Sequence, residues 1–98
     1  MRIEELREEI DTIDAELLRL MNRRALVAVQ VGALKSSAGL PIHDPQRERT
    51  VLSRACRAND GPLDDDAVSK IFRLIIRESR RLEAADGLRA LEQRSEVL

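Results

Sequence analysis

The stretch RLMNRRALVAVQVGALK, residues 19–35, decides how this chain folds. Toward the N-terminus from it, apolar residues recur at Ile3, Leu6, Ile10, Ile13, Leu17 and Leu20; within it they resume at Val27, Val31 and Leu34. Steps of three and four predict one continuous amphipathic helix with a heptad seam. Midway between Leu20 and Val27 the register demands a hydrophobe, and the sequence has Arg24 instead. A cation in the middle of an otherwise regular apolar seam is the anomaly from which a functional reading starts.

The helix that contains it is too long for its domain. About 35 residues at 1.5 Å per residue make a rod of roughly 50 Å, whereas a compact domain of about 100 residues has a radius of gyration near 13 Å. Much of the seam of a lone chain would stand in water. A second copy of the same chain is the simplest cover, so the expected state is an obligate homodimer.

The 98 residues allow a single domain. Apolar residues are 43% and charged residues 36% of the chain, which fits a soluble helical protein rather than a disordered one. Phe72 is the sole aromatic residue, so the core must be aliphatic and base stacking is not on offer. With 17 basic against 18 acidic residues, no charge excess points to nucleic acid or to a membrane surface. Cys56 is single and has only His43 as a companion, which argues against a disulfide and against a metal cluster. The opening MRIEELREEI is charged and amphipathic, unlike a signal peptide, and no apolar run reaches membrane-spanning length. A cytoplasmic, all-α protein is expected.

Two breaks divide the chain into three helices, at about 2–37, 44–59 and 64–85. In the first, Gly39 and Pro41 stop one helix, and Asp44-Pro45 starts the next with an N-cap acid and a proline in the first turn. The second break, NDGPLDDD at residues 59–66, places Gly61 past a helix end and acids at the next N-terminus. The middle helix should turn Val51, Leu52, Ala55 and Cys56 inward; the last should bury Val68, Ile71, Phe72, Ile75 and Ile76 and end near Ala85. Residues 86–98, after Gly87 or including it, read as a frayed extension or a short fourth helix.

Polar residues interrupt the inner faces of two helices. Ile76, Ser79 and Glu83 share one face of the last helix, and Arg24, Ala28, Val31 and Lys35 share one face of the first. Ala28 and Gly32 are small and should leave space beside the two cations. Singly, each polar residue has an ordinary explanation: an arginine stem can pack while its head reaches water, and a helical serine can bond its own backbone. Glu83 could simply pair with Arg77, Arg80 or Arg81. Together they ask for more, because an unpaired charge in an aliphatic interior costs several kcal/mol. Inward cations imply inward anions, nearby acids look too few, and a small dianionic ligand would serve. Arg7 lies 17 residues before Arg24, about 25 Å along the axis, so it can reach such a ligand only in a partner chain. Its ordinary alternative is a surface pair with Asp11.

The ordered segments LREEIDTIDAELLRLMNRRALVAVQVGALK, GLPIHDPQRER and IFRLIIRESRRLE resemble the all-helical chorismate mutases, from about residue 3 to residue 84. That resemblance implies an intertwined homodimer of three-helix chains with two sites, each built from both chains. It implies that Arg24, Lys35, Arg47 and Arg7 of the partner subunit hold the two carboxylates of chorismate, with Ser79 adding a hydroxyl. Asp44 through its backbone N–H and Glu48 through its side chain would bind the ring hydroxyl. Lys35 and Glu83 would flank the ether oxygen, and Val31, Leu52, Ile76 and the stem of Arg80 would line the ring. The catalytic set so implied is Lys35, Glu83 and Arg24. No cofactor or metal is called for, since the rearrangement of chorismate to prephenate is intramolecular.

Glu83 departs from family members that carry Gln there; a carboxylate donates a hydrogen bond only when protonated, so Glu83 is expected to act as a neutral acid. Arg80 departs at a position that is often aliphatic; its guanidinium either points to solvent or alters ligand preference. Isochorismate-pyruvate lyase and amino-deoxychorismate mutase share the fold as alternatives, and a non-catalytic dimerisation or regulatory module is the alternative of another class. Mutases of this kind also occur fused to dehydratase or dehydrogenase domains or leaning on a synthase partner; 98 residues leave no room for a fused enzyme in this chain.

Overall fold

A computed structural model describes the backbone of residues 2–97 and the side chains of residues 2–85. The described residues form three α-helices and no strand: α1 Ile3–Ser37, α2 Pro45–Ala58 and α3 Asp65–Val97. Helices α1 and α2 both pack on α3. The molecule is a slab of 63 × 28 × 14 Å with a radius of gyration of 17.5 Å, well above the roughly 13 Å of a compact domain of this length.

Each boundary has a local chemical cause. Glu4 and Glu5 in the first turn of α1 offset the positive end of its dipole. At the other end Gly39 takes φ 69°, the Leu40 N–H donates to the Lys35 carbonyl at 2.8 Å and the Gly39 N–H to that of Ser36 at 3.2 Å. This paired closure is a Schellman turn. Asp44 caps α2 by accepting from the Arg47 N–H at 3.0 Å, with Pro45 next in line. Asp64 does the same for α3 through the Ala67 N–H at 2.8 Å. Between them Asn59 ties the α2–α3 loop, donating to the Leu63 carbonyl at 2.7 Å and the Asp65 carboxylate at 3.0 Å.

Helix α3 continues beyond the expected end at Ala85 and through Gly87 to Val97. Leu88, Arg89, Ala90, Leu91 and Glu92 are good helix formers and no proline intervenes; the cost of about 1 kcal/mol for one internal glycine is outweighed.

The chain alone has almost no core. Among the described residues Val68 is the one buried hydrophobe, and the other two buried positions are Ser79 and Gly32. Along the α1 seam Ile10 is 54% exposed, Leu17 50% and Leu34 72%. Ile71, expected inside, is exposed as well, while Phe72, Ile75 and Ile76 are half-buried. So the α3 stripe is only partly covered by α1 and α2, and much of the α1 seam is left exposed by its own chain.

Gly39 offers a clean test of the turn that ends α1. An added Cβ would meet nothing within 4 Å, so Gly39→Ala should cost only the left-handed backbone penalty of about 1–2 kcal/mol. Urea unfolding at fixed protein concentration should show that loss, and Gly39→Asn a smaller one.

Candidate functional site

The site exists because two helices approach unusually closely. A Cβ built on Gly32 of α1 would stand 2.7 Å from the Glu83 Cβ, 2.9 Å from its Cγ and 3.1 Å from its Cα. Glycine is therefore required there, and the space beside it is filled by Glu83 rather than left open. About two turns earlier along α1, the same pair of helices is pinned by a polar contact. The Arg24 Nη1 donates to the Ser79 Oγ at 3.1 Å, and Ser79 is only 6% exposed. The interrupting residues of α1 and α3 thus face one another.

Between these contacts and α2 lies a cavity of about 260 Å³. Helix α1 lines it with Arg24, Lys35, Val27, Ala28 and Val31; the following loop adds Ile42 and Asp44. Helix α2 contributes Arg47, Glu48 and Val51, and α3 contributes Ile76, Ser79, Arg80 and Glu83. Aliphatic walls with convergent polar heads are the usual make-up of a small-molecule site, and here the polar heads are unusually many.

Charge in the cavity is unevenly matched. Glu48 is taken: Arg80 Nη1 donates to its Oε1 at 2.6 Å, and the His43 Nε2 stands 3.6 Å from its Oε2. Asp44 is engaged as the α2 cap. Lys35 donates to the Ile42 carbonyl at 3.2 Å, a neutral partner. Arg24, Lys35 and Arg47 have no ion-pair partner among the described residues. Three cations thus converge on one small cavity with no ion pair to any of its carboxylates.

Glu83 does not answer them. It forms no ion pair among the described residues; Arg81 pairs with Glu78 and Arg80 with Glu48 instead. Burial pushes the Glu83 carboxyl above its ordinary range, and the opposing pull of Lys35, Arg24 and Arg80 does not undo the rise. Nearby Glu48 adds to it.

The cavity brings together Arg24, Lys35, Asp44, Arg47, Glu48, Ser79 and Glu83, with Val31, Ile76 and Arg80 among its walls. Leu52 lies instead beside a neighbouring groove that shares Glu48, Ile76 and Arg80 with the first cavity. Arg7 is on the exposed face of α1, paired with Glu4 at 3.1 Å rather than with Asp11. Arg80 turns its guanidinium inward onto Glu48 rather than to solvent. Val51, read as inward from the α2 stripe, and Ile42, which no sequence signal marks, join the lining. The α1–α2 loop brings Ile42 there and leaves no trace in helical periodicity. The Arg80–Glu48 pair spans two helices and 32 positions, beyond any local pattern.

Residues 6–84 match the chorismate mutase type II family. The chain is 45% identical to a bifunctional chorismate mutase/prephenate dehydratase of Aquifex aeolicus over 85 residues, which cover 83% of this chain and 24% of that protein. It thus spans about a quarter of the length of that relative. A 4-amino-4-deoxychorismate mutase of Streptomyces venezuelae is 35% identical, covering 83% of this chain and 80% of its own. Among solved structures, a chorismate mutase of Thermus thermophilus (form II) superposes with a TM-score of 0.84 at 37% identity, covering 86% of this chain and 96% of the other.

Because the seat of Glu83 is made by a missing side chain, Gly32→Ala should force α1 and α3 apart. Overpacking of this kind costs about 1–3 kcal/mol, to be read as a lower denaturation midpoint with little change in slope.

Proposed function

The chain belongs to the chorismate mutase type II family, and from that premise we propose that it converts chorismate to prephenate as a homodimer whose two sites are each completed by the other subunit. The observation that carries the proposal is the convergence of Arg24, Lys35 and Arg47, without protein counter-ions, on an aliphatic cavity of small-molecule size. A substrate with two carboxylates supplies the missing negative charge. Arg7 of the partner subunit adds a fourth cation; the uncovered α1 seam supports a second chain lying there.

The reaction breaks the ether C–O bond and forms a C–C bond within one molecule, so it needs no nucleophile. Charge clamps at both carboxylates hold the enolpyruvyl arm over the ring and remove its rotational freedom before the chemistry. As the C–O bond breaks ahead of C–C formation, negative charge grows on the ether oxygen. Lys35 from one side and protonated Glu83 from the other donate to it; a fixed donor in such a site contributes about 3 kcal/mol. Ser79, already oriented by Arg24, adds a hydroxyl to one carboxylate. Asp44, through its backbone N–H, and Glu48 face the ring hydroxyl. A cytoplasmic location is part of the same reading, and the free thiol of Cys56 suits a reducing compartment.

The direct test follows chorismate loss in the ultraviolet and identifies the product. Prephenate supports the reading; salicylate would replace it with a lyase. Arg24→Leu should reduce turnover by roughly a thousandfold or more while raising the melting temperature of the substrate-free protein, because it removes a stranded charge. Retained turnover in that variant would overturn the assignment at its centre. If sites are shared, mixing inactive Arg7→Ala and Arg24→Leu proteins should restore activity through heterodimers that carry one intact site.

Glu83 makes the rate depend on pH. Its carboxyl is raised above the ordinary value of 4.5, so the donating form is lost, and turnover falls, as pH climbs through the raised value. Folding stability follows the same sign: the folded chain holds this proton more tightly than the unfolded one, so stability is lost across that window. Glu83→Gln should flatten the falling limb of the rate profile and be the more stable protein above the window. A falling limb that survives the substitution would assign it to another group.

A further inference from the structure

Beyond that reading, and resting on it, we infer that Arg80 is the residue by which this site selects a ring hydroxyl over a ring amine. Chorismate and its 4-amino-4-deoxy analogue differ at one ring substituent, and the relatives of this chain include enzymes named for each. The substituent meets Glu48. In this chain Glu48 does not face the cavity alone: Arg80 Nη1 holds its Oε1 at 2.6 Å, and both side chains line the cavity and are largely covered, at 35% and 27% exposure. The remaining oxygen, Oε2, has only His43 beside it at 3.6 Å, too far for a hydrogen bond.

A substituent placed there encounters an acceptor and a donor side by side. A hydroxyl satisfies both, giving its proton to Glu48 Oε2 and accepting from a second guanidinium N–H. An ammonium has donors only. It satisfies Glu48, leaves the second guanidinium N–H without an acceptor and sits against a like charge in a partly covered site, where such proximity is unfavourable. An aliphatic residue in place of Arg80 would free Oε1, remove the repulsion and make Glu48 a good ammonium site. Arg80 thus acts through Glu48 and through its own field on the substituent, and Lys35, Arg24, Arg47 and Ser79 keep their roles at the other end of the substrate.

The test compares kcat/KM for chorismate and for 4-amino-4-deoxychorismate in the intact protein and in two variants. Arg80→Met keeps much of the stem and the helix propensity; Arg80→Lys keeps the charge and loses the planar fork. The intact protein should favour chorismate, Arg80→Met should move the ratio by about tenfold or more toward the amine, and Arg80→Lys should hold most of the original bias. In the intact protein the bias should also relax at pH values where the amine is neutral, and in Arg80→Met it should not. Two rates that fall in parallel in Arg80→Met would mean a structural role only and would overturn the inference. It is overturned equally if Arg80→Lys shifts the ratio as far as Arg80→Met, or if Arg80→Met does not fold and Arg80→Lys loses the bias. Should the intact protein turn over neither compound, the mutase reading itself fails and this inference with it.

Discussion

The contact between Gly32 and Glu83 is the constraint on which the rest of the molecule turns. Removing one side chain lets α1 and α3 close until the Glu83 backbone and stem rest on the Gly32 Cα. That approach sets where Glu83 can stand, half-buries its carboxyl and holds Ser79 beside Arg24. The resulting surface is not a core in the ordinary sense. Two of the three buried residues among those described, Gly32 and Ser79, are there to shape the cavity, and one, Val68, is an aliphatic core residue.

Stability and function draw on opposite ends of the same helices. A single chain exposes most of the α1 seam, and the apolar area left in water is large for a protein that stands alone. Meanwhile three cations without ion-pair partners among the described residues line the cavity between the helices: Arg24 and Lys35 half-buried, Arg47 exposed. The α1 seam is left largely uncovered by its own chain, and the cavity carries cations that no ion pair among the described residues engages. The conflict between local apolar pattern and local charge is confined to the face that makes the cavity, which is where departures from sequence consistency are expected to serve function.

Much of this is legible in the residues. Period and breaker residues place α1 and α2 to within a residue or two, because caps such as Asp44 and turns such as Gly39 have chemistry of their own. The inward register of Arg24, Lys35, Ser79 and Glu83 follows from the spacing of their apolar neighbours. Pairing across helices is not legible. By sequence Glu83 can sit with Arg77, Arg80 or Arg81; α3 instead aims Arg80 at Glu48 and Arg81 along its own turn at Glu78. A small residue at position 32 suggests room, and only the interhelical distance shows the room to be occupied. Periodicity overstates the burial of Ile71 for a related reason, since it reports which face is apolar and not what lies against it. The end of α3 escapes a reading that weighs Gly87 without the helix formers that follow it.

The fit between Gly32 and position 83 also limits how the chain can diversify. The contact is made by Cβ and Cγ, atoms that any unbranched side chain of similar length reproduces, while the head beyond them projects into the cavity. Amide, acid or thioether heads can therefore be exchanged there with the helix pairing undisturbed. Drift at this one locus is thus restricted in shape by the helix pairing, and in chemistry only by what the cavity asks of the head.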